Sequence, residues 1–151
     1  MKKIFLFLVL TTMGFTINSC SSDDSSPTGT VTFKVDGVQK TLKIINVNEY
    51  KNLAGTADEF TQISVYASSR TVDGAVIFSF RKGGLGNIIS DFTYVLGGDV
   101  GYQQSASFSS AVTANGNDKK LMGTFSGHVG SSDGTDINDL NITEGTFNIQ
   151  Y

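Results

Sequence analysis

The feature that most restricts this chain is an apolar–polar alternation of period two. It recurs from residue 31 to residue 151 and is broken at short intervals by Gly, Asn and Asp. Successive side chains of an extended strand point to opposite faces, so this alternation describes strands with one buried face. Val31, Phe33 and Val35 alternate with Thr32, Lys34 and Asp36. Asp36-Gly37 then predicts a tight hairpin, because a type I′ turn needs positive φ at both central positions and this pair tolerates it. The return strand carries Leu42 and Ile44. Residues 60–67 hold Ile63 and Val65 in phase, and residues 75–80 are apolar on both faces, the pattern of a central or covered strand. Asp73-Gly74 is expected to join these two as a second hairpin.

Farther along, residues 92–96 form a short candidate strand ending at Gly97-Gly98-Asp99, residues 106–112 a longer one with a polar face, and Asn115-Gly116 marks another turn. Leu121, Phe125 and Val129 share a face, with glycines between them where neighbouring side chains need room. The last strand changes phase: Leu140 and Ile142 are even, whereas Phe147, Ile149 and Tyr151 are odd. One extra residue near Glu144-Gly145 restores the alternation, which predicts a bulge there. Helical spacing is confined to residues 46–59, where Val47, Tyr50 and Leu53 or Ala54 predict one or two turns limited by Gly55. The expected fold is a single all-β domain over residues 30–151, an antiparallel β-sandwich of about seven to nine strands, with an open β-barrel as the alternative.

Ahead of this domain, Met1-Lys2-Lys3 is cationic and precedes the apolar run Ile4-Phe5-Leu6-Phe7-Leu8-Val9-Leu10. These are the parts of a secretory signal peptide. The run weakens after Leu10 and falls short of the roughly 20 residues that span a bilayer, which weighs against a permanent transmembrane helix. Ile17-Asn18-Ser19-Cys20 resembles the lipobox of bacterial lipoproteins, although Asn18 stands where a small residue is usual. The resemblance implies removal of residues 1–19 and acylation of Cys20. The competing reading, a buried free thiol, has no core to draw on, since Ser21-Ser22-Asp23-Asp24-Ser25-Ser26 follows. Residues 20–29 then read as a lipidated cysteine and a flexible acidic and serine-rich tether. The acidic pair also resembles the surface-export signal of Bacteroidota lipoproteins, so the domain is expected at the outer membrane, lipid-anchored and exposed at the cell surface, with a periplasm-facing position as the alternative.

One cysteine excludes a disulfide framework and a thiolate metal cluster. The net charge of −3 is unchanged by removing Lys2 and Lys3 together with Asp23 and Asp24, and it argues against a nucleic-acid partner. His128, the only histidine, alternates away from the face of Phe125 and Val129. No Gly-x-Ser-x-Gly elbow supports a Ser/His/Asp triad. Gly83-Gly84-Leu85-Gly86-Asn87 lacks the Lys-Ser/Thr pair of a phosphate loop. No catalytic residue is assigned.

Calcium is the one metal considered: Asp133, Asp136, Asn138 and Asp139 cluster hard oxygen ligands, although Asp, Asn and Gly are equally the residues of a turn and the spacing is not that of an EF-hand. No other cofactor is expected. Tyr102, Gln103 and Gln104 follow a glycine-rich turn and form the candidate exposed ligand-binding group, with Tyr50, Tyr66 and Tyr94 as further rings and core packing as the competing fate of each.

The opening strand Phe33-Lys34-Val35-Asp36-Gly37 and the closing pair Gly123-Thr124-Phe125-Ser126-Gly127 and Ile142-Thr143-Glu144-Gly145-Thr146-Phe147-Asn148-Ile149 resemble a family of small Bacteroidota lipoproteins with a domain of unknown function. That resemblance implies fold and anchoring, and supplies no catalytic residues. The expected function is a non-catalytic binding or accessory module for a glycan or protein partner, held to the membrane by its lipid. A structural subunit of an outer-membrane complex, docking through a sheet edge, is the alternative, and a hydrolase stands third.

Overall fold

A computed structural model of the chain describes residues 26–69, 74–97, 100–131 and 139–151. The leader, Cys20, Asp73, Gly98-Asp99 and the calcium candidates Asp133, Asp136 and Asn138 lie outside the described residues. The strands are β1 (Thr28–Val35), β2 (Val38–Asn52), β3 (Phe60–Ser68), β4 (Ala75–Arg81), β5 (Ser90–Leu96), β6 (Val100–Gln104), β7 (Ser109–Asn115), β8 (Lys120–Ser131) and β9 (Leu140–Gln150). No helix occurs among the described residues.

All pairings are antiparallel, in the order β6-β5-β4-β3-β2-β1-β9-β8-β7. β6 also pairs with β8 through Tyr102–Ser131, Gln103–Gly130 and Gln104–Val129. Eight strands therefore close into a barrel, and β7 is added beside β8 as a ninth. The all-β expectation holds, and of its two architectures the sheet takes the barrel, closed instead of open.

Strand stagger explains the closure. β2 is 15 residues long and gives residues 38–43 to β1 but 43–52 to β3, with a register shift at Ile45. β8 likewise gives residues 121–126 to β7 and 129–131 to β6 along one edge. Long strands shared by offset neighbours tilt and coil a sheet until its edges meet. The same pairing overrides the helical spacing of residues 46–59: Val47 packs toward the core as part of β2, which runs on to Asn52.

Phenylalanines from around the barrel fill its interior. Phe33 meets Tyr94 edge-on with centroids 5.6 Å apart, Phe78 lies 5.4 Å from Phe147, and Phe92 lies 5.1 Å from Phe125 and 4.7 Å from Phe108. Ile63, Val65, Leu121 and Ile149 are buried with them, as the alternation required. A ring-filled apolar interior is the reverse of the polar lumen of barrels that span bilayers. β4 is covered on both sides only in part: Val76, Phe78 and Phe80 point inward and Ser79 is buried on the outer face, while Ile77 stays 41% exposed.

The turns are partly as read. Asp36 and Gly37 have φ of 48° and 84°, as the type I′ hairpin requires. The candidate strand at residues 106–112 begins instead at Ser109. Asn115 ends β7 as a buried residue, and the connection to β8 runs through residues 116–119, with positive φ at Lys119 and not at Gly116.

The bulge in β9 is present: Thr32 and Lys34 face Thr146 and Thr143, and Phe125 and Gly127 face Gly145 and Ile142. Its left-handed residue is Glu144, at φ 52°. Gly145 serves packing, since a Cβ there would lie 2.5 Å from both the Phe125 ring and the Phe125 carbonyl oxygen.

The glycine-rich segment after β4 seals the remaining gap. Gly86 and Val112 exchange backbone hydrogen bonds of 2.9 and 2.8 Å, Gly83 N–H donates to Asn115 O, and Asn87 Oδ1 accepts from the Ser110 N–H. Asn115 Nδ2 donates to Arg81 O at 2.8 Å and Gly84 O at 3.0 Å. The outer edge of β7 is thereby covered where a free edge would invite pairing.

Candidate functional site

The Tyr102 group is not the exposed stacking platform expected from its turn. Tyr102 is buried, its ring 6.5 Å from that of Tyr94 across the β5–β6 pair. Alternation turns Gln103 outward, while Gln104 Oε1 accepts the Phe92 N–H at 3.0 Å. Gln103 and Gln104 line a shallow depression with Asp91, Phe92 and Thr93, and Tyr102 is not part of it. Of the four candidate rings, Tyr94 and Tyr102 belong to the core, and Tyr50 and Tyr66 are exposed.

Asp139 is the one calcium candidate that the structure describes, and among the described residues no group of three or more His, Cys, Asp or Glu is placed to hold a metal. His128 points outward, as its alternation predicts.

A polar cluster joins three elements near the carboxyl end of β9. Glu49 on β2 accepts from Lys82 Nζ at 2.7 and 2.9 Å and from the Tyr151 hydroxyl at 2.7 Å. The Lys82 hydrogen bond holds the Glu49 carboxyl below its ordinary range against some desolvation. Burial, then the Glu49 carboxylate, push the Tyr151 phenol up. A phenol held protonated and a carboxylate held ionised suit a structural clasp; a base or nucleophile would need the opposite shifts.

A broad hydroxyl-bearing surface lies on the outer face of β7, β8, β9, β1 and β2. The registers align Ala111, Thr124, Thr146, Thr32 and Thr41 in one row across five strands. Thr32 and Thr146 join Oγ1 to Oγ1 at 2.7 Å. Strand spacing sets successive threonines about 4.8 Å apart. Two depressions meet on this row and share Thr124 and Thr146. The larger, about 480 Å³, is lined by Ser109, Ser110, Ala111, Ser126, Glu144 and their neighbours. The smaller, about 270 Å³, adds Thr30, Thr113 and Asn148.

The β9 bulge shapes this face. It carries Glu144 outward to the rim, where Lys34 Nζ binds it at 2.6 Å. Each threonine offers a hydroxyl that donates or accepts, beside a methyl group, so the face matches a ligand with many hydroxyls spread over a broad surface. Individual hydrogen bonds exposed to water contribute little, and affinity on such a surface grows with the number of contacts. The row escaped sequence reading because its members are remote in the chain, Thr32 and Thr146 being separated by 114 positions. The only signal was the outward Thr of each alternating strand.

Comparison with protein-family models, with curated proteins and with solved structures finds no match to this chain.

Proposed function

We propose that the chain is a lipid-anchored, non-catalytic binding module of the cell envelope, which holds a hydroxyl-rich polymer such as a polysaccharide on its threonine face. The signal-like leader and the lipobox-like Ile17-Asn18-Ser19-Cys20 support anchoring. The single observation behind the ligand class is the aligned row of Thr124, Thr146, Thr32 and Thr41 with two depressions meeting on it. A rigid body with a ring-filled interior suits presentation of an outer surface better than enclosure of a small molecule. The sheet-edge route to an outer-membrane complex draws less support, because β6 pairs with β8 and the outer edge of β7 is covered by the segment at residues 82–89.

Polysaccharide pull-down with the Thr124→Val/Thr146→Val variant tests the reading. Valine keeps the shape and strand preference of threonine and removes the hydroxyl. Two lost hydrogen bonds at about 1 kcal/mol each predict roughly tenfold or greater weakening. Absence of any glycan retention by the unaltered protein, or retention unchanged in the variant, would refute the ligand assignment. The anchor is tested separately by metabolic labelling with a palmitate analogue, with Cys20→Ala as the control that should lose both label and membrane fractionation.

A further inference from the structure

The barrel has a second distinctive side. Outward positions of β3, β4 and β5 carry Tyr66, Ile77, Ala75 and Val95, with Tyr66 paired to Ile77 and Ala75 paired to Val95. Ile45 sits at the β2 register shift beside Tyr66. Tyr66, Ile77 and Ile45 are 38%, 41% and 36% exposed. The corresponding outward positions of β8, β9 and β1 are mostly polar, carrying Thr, Ser, Asn, Lys, Glu, Gln and His128, with half-buried Met122 among them.

In the ring order β6-β5-β4-β3-β2-β1-β9-β8, the β3–β4 pair stands opposite β8–β9. The apolar side is therefore diametrically across from the threonine face. It also lies where the chain enters the barrel. Thr30 pairs with Lys43, and both Thr28 and Ile45 lie two residues beyond that pair in the same direction. Tyr66 is one strand farther and Ile77 two, or about 10–15 Å from the entry point.

We propose that this apolar side docks on the lipid bilayer, so that the barrel lies side-on against the membrane with the threonine face turned away from it. The proposal rests on acylation of Cys20. Seven residues lie between Cys20 and Thr28, so the eight Cα-to-Cα steps reach at most about 28 Å. An anchored chain therefore keeps Ile45, Tyr66 and Ile77 at high effective concentration beside the lipid surface, where weak contacts suffice. Tyrosine and branched aliphatic side chains suit the boundary between headgroups and hydrocarbon, and exposed Lys43 at the margin of the patch suits anionic headgroups.

The test places one environment-sensitive dye at Asn46→Cys, beside Tyr66, or at Thr124→Cys on the far face; acylated Cys20 leaves the introduced cysteine as the only free thiol. The purified lipoprotein is reconstituted in phosphatidylethanolamine–phosphatidylglycerol vesicles containing a spin-labelled lipid quencher. Quenching is expected to be at least threefold stronger at position 46 than at 124, and the difference should vanish in Tyr66→Ser/Ile77→Ser with the melting temperature unchanged. Equal quenching at the two positions overturns the proposal. Mass spectrometry of Cys20 separates this from failure of the anchor. If the thiol is unmodified, a Cys20→Ala chain held by an amino-terminal histidine tag on nickel-chelating lipid gives the same two readings, and equal quenching again overturns the docking surface.

Discussion

Gly123 tests whether ring packing across the β8–β9 pair sets the limits of this core. A Cβ at that position would lie 2.6 Å from Phe147 Cζ, 2.8 Å from Cε1 and 2.8 Å from the Ala111 carbonyl oxygen. The Phe147 ring cannot swing aside, because it is buried with centroids 5.4 Å from Phe78 and 6.2 Å from Phe80. Overpacking of this kind costs about 1–3 kcal/mol, and two obstacles place it in the upper half. The smaller entropy of the unfolded alanine chain returns about 0.4–1 kcal/mol. Gly123→Ala should therefore destabilise by about 1–2.6 kcal/mol. Phe147→Leu alone should cost about 1–2 kcal/mol through lost ring contacts. Combined, the two should cost less than their sum by about 1 kcal/mol, since leucine has no atom at the Cζ position while the Ala111 carbonyl remains. Urea denaturation followed by far-ultraviolet circular dichroism measures all three variants. Additive losses, or a neutral Gly123→Ala, would refute the claim that the Phe147 ring excludes a side chain there.

The Glu49 clasp predicts a pH window. A carboxyl held below its ordinary range contributes stability above the unfolded value near pH 4.5 that is lost as the pH falls, and a raised phenol contributes stability that is lost as the pH climbs above about 10. In thermal melts Glu49→Gln should flatten the acid limb and only part of the alkaline one, since burial is the first cause of the raised phenol, and an unchanged acid limb would contradict the clasp. Asn115→Ala strands the Gly84 carbonyl and leaves the Arg81 carbonyl only its bond from the Gly84 N–H, at about 1–3 kcal/mol. Hydrogen exchange at Gly83 and Gly86 should accelerate, and protection equal to that of the unaltered protein would dissociate Asn115 from the seam. Glu144→Gly relieves φ 52° at a gain of about 1 kcal/mol and loses an exposed pair with Lys34 worth less. Its denaturation midpoint should rise, and a fall would mean that the ion pair outweighs the strain.

Alternation was enough to place Phe33, Ile63, Leu121 and Ile149 in the core, and the phase change at residues 142–147 was enough to locate the bulge, because both are local consequences of side-chain period. Asp36-Gly37 was legible for the same reason. Closure was not, since it depends on how far each strand slides past its neighbour. Nothing in the composition of residues 38–52 announces that one strand will serve β1 and β3 in turn. Residues 46–59 misled through apolar spacing at three and four positions, which nonlocal pairing with β3 overrode. Tyr102 was misplaced although its parity was readable: it is paired directly with inward Tyr94, and that pairing outweighs proximity to a turn. The threonine row demands the registers of four pairings at once, so single-strand reading finds its members and misses their alignment.

The role of β7 follows from what its absence would do to that row. β8 offers residues 121–126 on the stretch of its edge that β6 leaves free, and β7 fills it. The threonine face thereby gains Ser109, Ala111 and Thr113, and the wall of its larger depression. The ninth strand is tolerated only because residues 83–87 cover its outer edge and Asn115 ties that segment down. The ligand surface thus depends on one seam on the β7 side, outside the closed barrel, whereas the apolar side at β3–β4 belongs to the barrel itself. Loosening the seam with Asn115→Ala should therefore weaken polysaccharide retention while leaving the quenching at position 46 in place. Parallel loss of both would mean that the two faces do not act independently, and would remove the reason for assigning them to different partners.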